Sequence, residues 1–253
     1  KAFTVRPLRC VVHRRVDFSL HKLPLRLSAL KYRWGVDRYI AITRAVQRVM
    51  TADGIPQERI AVIHSSVDLA RFDGLTRNPG LRAELGLPQN APLIATVGAL
   101  VPHKGQIHLI EAAAHVLRHA PDTWFLILGE GPLRPQLQAR ARQLNVAPRL
   151  LMPGFRNDVP RCLLESDLFC MPSVMEGLGT AALEAMALKR PVVATTAGGL
   201  AEVLRHGENG LAVPPADPPA LADALLRLLK DPPLAERLAA EGRRTVEKEF
   251  TAD

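Results

Sequence analysis

"VMEGLGTAALEAMALKRPVVATTAGGLAEV", residues 174–203, places two carboxylates inside a stretch that otherwise reads as buried core. Glu176 opens a turn, Gly177-Leu178-Gly179, and Glu184 follows in an Ala-rich apolar run. A β-branched burst, Pro191 to Thr195, then leads into Gly198-Gly199 and on to Glu202. The apolar run just before, "DLFCMPS" (167–173), reads as a strand and 179–189 as a helix, so the glycine turn joins strand to helix. Glycines there let backbone approach a ligand closely, and the free N–H groups of a helix start favour phosphate. Glu184, about one and a half turns into the helix, can point back toward that loop. A carboxylate accepts two hydroxyl hydrogen bonds at once, which suits a vicinal diol such as a ribose. Taken singly, Glu176 also fits a capping acid and Glu184 a solvent-facing residue. Glu184 is nevertheless flanked by Ala181, Leu183, Met186 and Leu188. Burying an unpartnered charge costs several kcal/mol, so a polar partner is implied.

Working outward, the same construction recurs. "PLIATVGAL" from residue 92 reads as a strand, "QIHLIEAAAHVLRHA" as a helix with apolar positions at i, i+3, i+4 and i+7, and "TWFLILG" as a strand. A helix at 133–144, a strand at 149–152 and a helix at 158–164 precede the opening stretch. After the strand 191–195 come a helix near 199–205, a strand at 210–213 and helices at 218–230 and 233–249. Strands that are continuous apolar runs alternating with helices predict an α/β fold, a parallel sheet covered on both faces. Ligands in such sheets sit at the carboxyl ends of the strands.

Two further loops fall on that edge. In "VGALVPHKG", 97–105, Gly98 ends a strand and Lys104-Gly105 opens a helix, where a lysine can neutralise a phosphate. The spacing is not that of a GxxxxGK[ST] phosphate loop. Gly198-Gly199 makes the third; alone it reads as well as a tight turn, and a lysine beside a helix start is common. Three such loops on one edge point together to a pyrophosphate-bearing ligand.

Upstream, residues 1–75 read as one piece. Cys10 to Val12 and Asp37 to Thr43 suggest strands, Thr43 suits the N-cap of a helix through Thr51, and 59–63 gives another strand. Residues 73–91 are rich in Gly, Pro and Asn around one short Leu-spaced helix. The expected division is 1–75, a linker at 76–91, and a ligand-binding domain at 92–253. The start at Lys1 without Met and the stop at Asp253 read as cuts from something longer.

With 47% hydrophobic and 23% charged residues, the chain reads as soluble and globular. It has no run near the roughly 18 apolar residues of a membrane span. Its net charge of +8 favours anionic partners, or simply reflects an Arg-rich proteome. Aromatics make up only 4% and none interleave with basic runs as stacking platforms, which argues against nucleic acid. Three cysteines, Cys10, Cys162 and Cys170, without metal spacing point to a reduced, cytoplasmic compartment.

The run from Glu176 through Glu184 to "LEAMALKRPVVATTAGGLAEV" resembles the carboxyl half of family 4 glycosyltransferases, retaining enzymes of the GT-B fold. "VGALVPHKG" is similar to their donor-phosphate loop, "RIAVIHSSVDLARF" to their inter-domain segment, "DRYIAITRAVQ" to a strand and helix of the first domain, and "HGENGLAVPPAD" to a later loop. The resemblance covers nearly the whole chain. It implies two Rossmann-like domains closing on a nucleotide-diphosphate sugar, the first represented here by its final part. It also implies transfer of a hexose-type sugar, with retention, to a glycan or lipid-linked acceptor in cell-envelope polysaccharide or lipopolysaccharide synthesis.

By that resemblance Glu184 bonds the ribose hydroxyls and Glu176 the donor sugar, with the Gly177 to Gly179 amides near sugar and phosphate. Lys104, beside Gly98 and Gly105, neutralises the diphosphate. Phe155 and Arg156 lie beside the base, Glu202 orients the Gly198-Gly199 loop, and His13 touches the acceptor or sugar unless it is structural. No metal or cofactor is implied, in keeping with the lack of a DxD-type pair. The basic surface suggests peripheral contact with anionic membrane. Two departures stand out: Ala99 occupies the place of the family's usual arginine, with Arg156 a candidate substitute, and Ser66 that of a hinge glycine. The family's glycine-rich loop and catalytic-region histidine precede the residue matching Lys1. Alternatives are a nucleotide-sugar epimerase of the same architecture or, for this chain alone, a nucleotide-binding module without turnover.

Overall fold

In the computed structural model, residues 9–15 and 35–251 are described; what was expected of 1–8 and of 16–34 lies outside the described residues. Two parallel sheets organise the chain. The first has three strands in the order β1 (Val11–Arg14), β2 (Arg38–Ala41) and β3 (Ile60–Val62), with the helix Arg44–Ala52 between β2 and β3. Thr43 caps that helix: its Oγ1 accepts from the Val46 amide at 3.1 Å, the N-cap role read from the sequence.

The second sheet comprises β4 (Leu93–Val97), β5 (Trp124–Leu128), β6 (Leu150–Gly154), β7 (Leu168–Met171), β8 (Val192–Thr195) and β9 (Leu211–Val213). Their order in space is β6-β5-β4-β7-β8-β9, all parallel. Each central strand is apolar on both faces because each face is covered. Ile94, Phe125, Ile127, Cys170 and Val193 pack with the helices Gln106–His119 and Pro218–Lys230. Leu93, Ala95, Leu126, Phe169 and Val192 face the opposite side, with Leu183 and Met186 of the helix Thr180–Ala187 and Val246 of the helix Pro232–Glu249. Full burial of such a side chain contributes about 1.5–3 kcal/mol, so the paired faces hold the sheet. Pro153 is tolerated because β6 lies at the edge. Among the described residues no helix is long and apolar enough to cross a membrane.

Within the stretch 76–91 the structure has the helix Pro79–Glu84, tied to the six-stranded sheet by the buried Arg82. Its guanidinium donates to the carbonyls of Pro88 (3.0 Å), Ala91 (2.8 Å) and Glu165 (2.8 Å) and lies 3.6 Å from the buried Glu165 carboxylate.

Candidate functional site

The order of the six-stranded sheet reverses between β4 and β7, and a crevice opens where their following loops diverge. Chemistry-bearing residues from the first two loops singled out in the sequence meet there. The amides of Val174 and Met175, after β7, both donate to the His103 carbonyl after β4, at 2.8 and 3.2 Å. Gly105 sits at φ +66° with the Pro172 carbonyl where a Cβ would stand, so only glycine brings the loops this close. Lys104 Nζ then reaches Glu176 Oε2 at 2.6 Å, and Ser173 Oγ donates to the same oxygen at 3.2 Å. Lysine and carboxylate neutralise each other in a half-buried pair. The helix behind each loop starts on a glycine, Gly105 or Gly179, which has no side chain to cap its first amides. Gly98 follows β4 directly, its amide donating to the Leu128 carbonyl at 3.0 Å.

Glu184 lies on the helix Thr180–Ala187, half-buried, with its carboxylate 3.8 Å from Arg71 Nη1. Arg71 comes from the 3-10 turn Leu69–Phe72 and supplies the polar partner that burial demanded. At that separation the pair attracts without a hydrogen bond. Burial pushes the Glu184 carboxyl above the ordinary range, an effect the Arg71 charge opposes in part.

Phe155, just past β6, is 72% exposed on the same edge. Its neighbour Arg156 is engaged: it donates to both Asp158 oxygens at 2.7 Å and to Glu84 at 2.8 Å. These bonds hold the guanidinium firmly protonated, its pKa raised chiefly by Asp158, and draw the Asp158 carboxyl below its usual range. The Ala99 carbonyl accepts from Gln106 Nε2 at 3.0 Å.

The side chain of Leu178 is 1% exposed in the core. One expectation is corrected. Glu202 was expected to orient the Gly198-Gly199 loop; its two oxygens instead accept from the amides of Arg44 (2.9 Å) and Ala45 (2.8 Å), at the start of the helix beyond β2. The Gly198-Gly199 loop still adjoins the crevice, because the Gly199 amide donates to the Glu176 carbonyl at 2.8 Å. His13 is exposed on β1, and two residues on, the Arg15 carbonyl presses against Gly177 with no room for a Cβ.

Sequence reasoning missed one loop. Gly129-Glu130-Gly131 follows β5 on the same edge, its Glu130 carboxylate 2.9 Å from Arg134 Nη1 and its backbone bonded to that of Leu100 (2.9 Å). The signal was present, since a strand, a glycine and an acid is the pattern that marked Glu176.

Comparison with known proteins agrees with this architecture. Residues 78–245 match the family described as glycosyl transferases group 1. The chain is 37% identical over 189 residues to the alpha-D-kanosaminyltransferase of Streptomyces kanamyceticus, covering 73% of this chain and 49% of that protein. It is 29% identical over 234 residues to the UDP-Gal:alpha-D-GlcNAc-diphosphoundecaprenol alpha-1,3-galactosyltransferase of Escherichia coli, covering 88% and 60%. The crystal structure of HepE from Anabaena, in complex with UDP and glucose, superposes with a TM-score of 0.87 at 26% identity, over 96% of this chain and 68% of that one. The chain thus spans about half to 60% of the length of these two curated relatives. The structural neighbours are GT-B glycosyltransferases, and the two parallel sheets are of that fold. The chain belongs to the group 1 glycosyl transferases.

Proposed function

We propose that the protein from which this chain comes is a retaining hexosyltransferase of family 4, moving a sugar from a nucleotide-diphosphate donor to a glycan or lipid-linked acceptor in cell-envelope synthesis. The observation that carries this is the Lys104–Glu176 pair at the point where the strand order reverses, 2.6 Å apart and flanked by two glycine-started helices. Lys104 exchanges its carboxylate partner for the donor diphosphate, and the two helix starts add partial positive charge. That charge stabilises the departing diphosphate as the sugar becomes oxocarbenium-like. Glu176, released, accepts from donor-sugar hydroxyls, Glu184 accepts from the ribose diol, and Phe155 stacks on the base. The sugar nucleotide is the substrate and no separate cofactor enters.

Support for a lipid-linked acceptor comes from the Escherichia coli relative, whose name specifies a diphosphoundecaprenol acceptor. Support for a uridine donor comes from HepE with UDP and glucose. The net charge of +8 supports peripheral contact with anionic lipid, which salt-sensitive flotation with anionic vesicles tests. For these 253 residues alone, coverage of only 49% and 60% of the relatives favours a second reading, donor binding without turnover. Incubating the chain with UDP-, GDP- and ADP-sugars tests both: slow sugar release supports the first, saturable binding with no release the second. No binding of any of them overturns the proposal.

A further inference from the structure

Glu202 belongs to the six-stranded unit, yet its carboxylate is held by the three-stranded one. Oε2 accepts from Arg44 N at 2.9 Å and Oε1 from Ala45 N at 2.8 Å, the first two amides of the nine-residue helix Arg44–Ala52. A negative charge there is favoured by the helix dipole as well as by the bonds themselves. His64 Nε2, from the segment after β3, stands 3.5 Å from Oε2 and its ring stacks on Phe250 at 5.4 Å.

The junction continues into the candidate site through backbone. Thr43 Oγ1 donates to the Gly177 carbonyl at 3.0 Å, across 134 positions of sequence. A Cβ on Gly199 would overlap that same carbonyl and crowd the Thr43 methyl group. Gly199 N closes the circuit by donating to the Glu176 carbonyl at 2.8 Å. Glu202, Gly199, Gly177 and Thr43 therefore form one close-packed seam, one residue from the carboxylate that meets Lys104.

We propose that Glu202 is a positioning residue for Glu176: by capping the helix Arg44–Ala52 it fixes the three-stranded unit in register with the Glu176–Gly179 loop. The seam leaves no side-chain slack, so a shift of the helix start moves the Gly177 carbonyl and with it the Glu176 backbone. The consequence for turnover rests on the transferase reading, whereas the mechanical coupling does not. Glutamine at this position keeps the shape but offers one acceptor oxygen and turns an NH2 group toward the other helix amide.

Hydrogen exchange on the full chain tests this, comparing wild type with Glu202→Gln. Losing a charge-assisted cap should speed exchange of the Arg44 and Ala45 amides roughly tenfold or more, and exchange of 173–180 should rise with it. In the full-length enzyme, at a temperature where both proteins are fully folded, donor turnover per folded molecule should fall about tenfold while the donor KM stays within about threefold. Faster exchange confined to 44–52, with 173–180 unchanged, makes Glu202 a helix cap only and overturns the proposal. Thr43→Val, which removes the hydroxyl bonded to Gly177, is the second probe should Glu202→Gln fold poorly. Unchanged exchange at 173–180 in that variant overturns the proposal equally. A wild-type chain that binds no UDP would sink the transferase reading and leave the exchange comparison intact.

Discussion

Lys104 Nζ lies 2.6 Å from Glu176 Oε2, joining the loop after β4 to the loop after β7 across the reversal of strand order. In the proposed function this pair opens, the lysine turning to a diphosphate and the acid to a sugar.

Glu176→Gln should leave UDP affinity unchanged or raise it, because Lys104 loses its competing carboxylate. The advantage of UDP-sugar over UDP should shrink, since a charge-assisted contact to a hydroxyl is worth about 1.5–3 kcal/mol. Competition titrations with and without the sugar measure the difference directly.

Glu184 gives a pH signature. Its folded pKa is raised by burial, so the unfolded chain releases this proton first, and Glu184 lowers stability as pH rises through the interval. Glu184→Gln should therefore flatten that decline in melting temperature and cost little stability. Wild-type affinity for nucleotide diphosphates should weaken as pH falls through the raised pKa, above the usual ~4.3 of a glutamate, and the variant should not show this step. At neutral pH Glu184→Ala should bind roughly 10- to 150-fold more weakly.

Phe155→Ala should be nearly neutral for folding, because the ring is 72% exposed. If the ring stacks on the base, the loss should be about 1–3 kcal/mol of nucleotide affinity. Calorimetric titration of both proteins reads this.

Arg82→Met should do the reverse. Removing the guanidinium leaves the Glu165 carboxylate and three carbonyls buried without it, at a cost of about 3–5 kcal/mol by urea unfolding. Nucleotide affinity of the folded fraction should hold, because Arg82 lies at the amino ends of the strands, beside Leu93 and Asp167.

The six-stranded sheet was legible because it is buried on both faces. Runs such as "TWFLIL" and "LFCM" carry no polar interruption, and the helix read at 218–230 is observed over those same residues. The meeting of the first two loops was legible too, since a parallel sheet sends them all to one edge. Partnerships between distant segments were not legible. Nothing periodic links Glu202 to Arg44, 158 positions away, or Arg156 to Glu84, 72 away. Glu130 was overlooked although its loop repeats the pattern recognised at Glu176.

Isothermal titration of UDP into wild type and Lys104→Ala reads whether the Lys104–Glu176 rim grips a pyrophosphate. Wild type should bind saturably and the variant roughly tenfold or more weakly, with the melting temperature little changed. Equal affinity in the two proteins would contradict that grip.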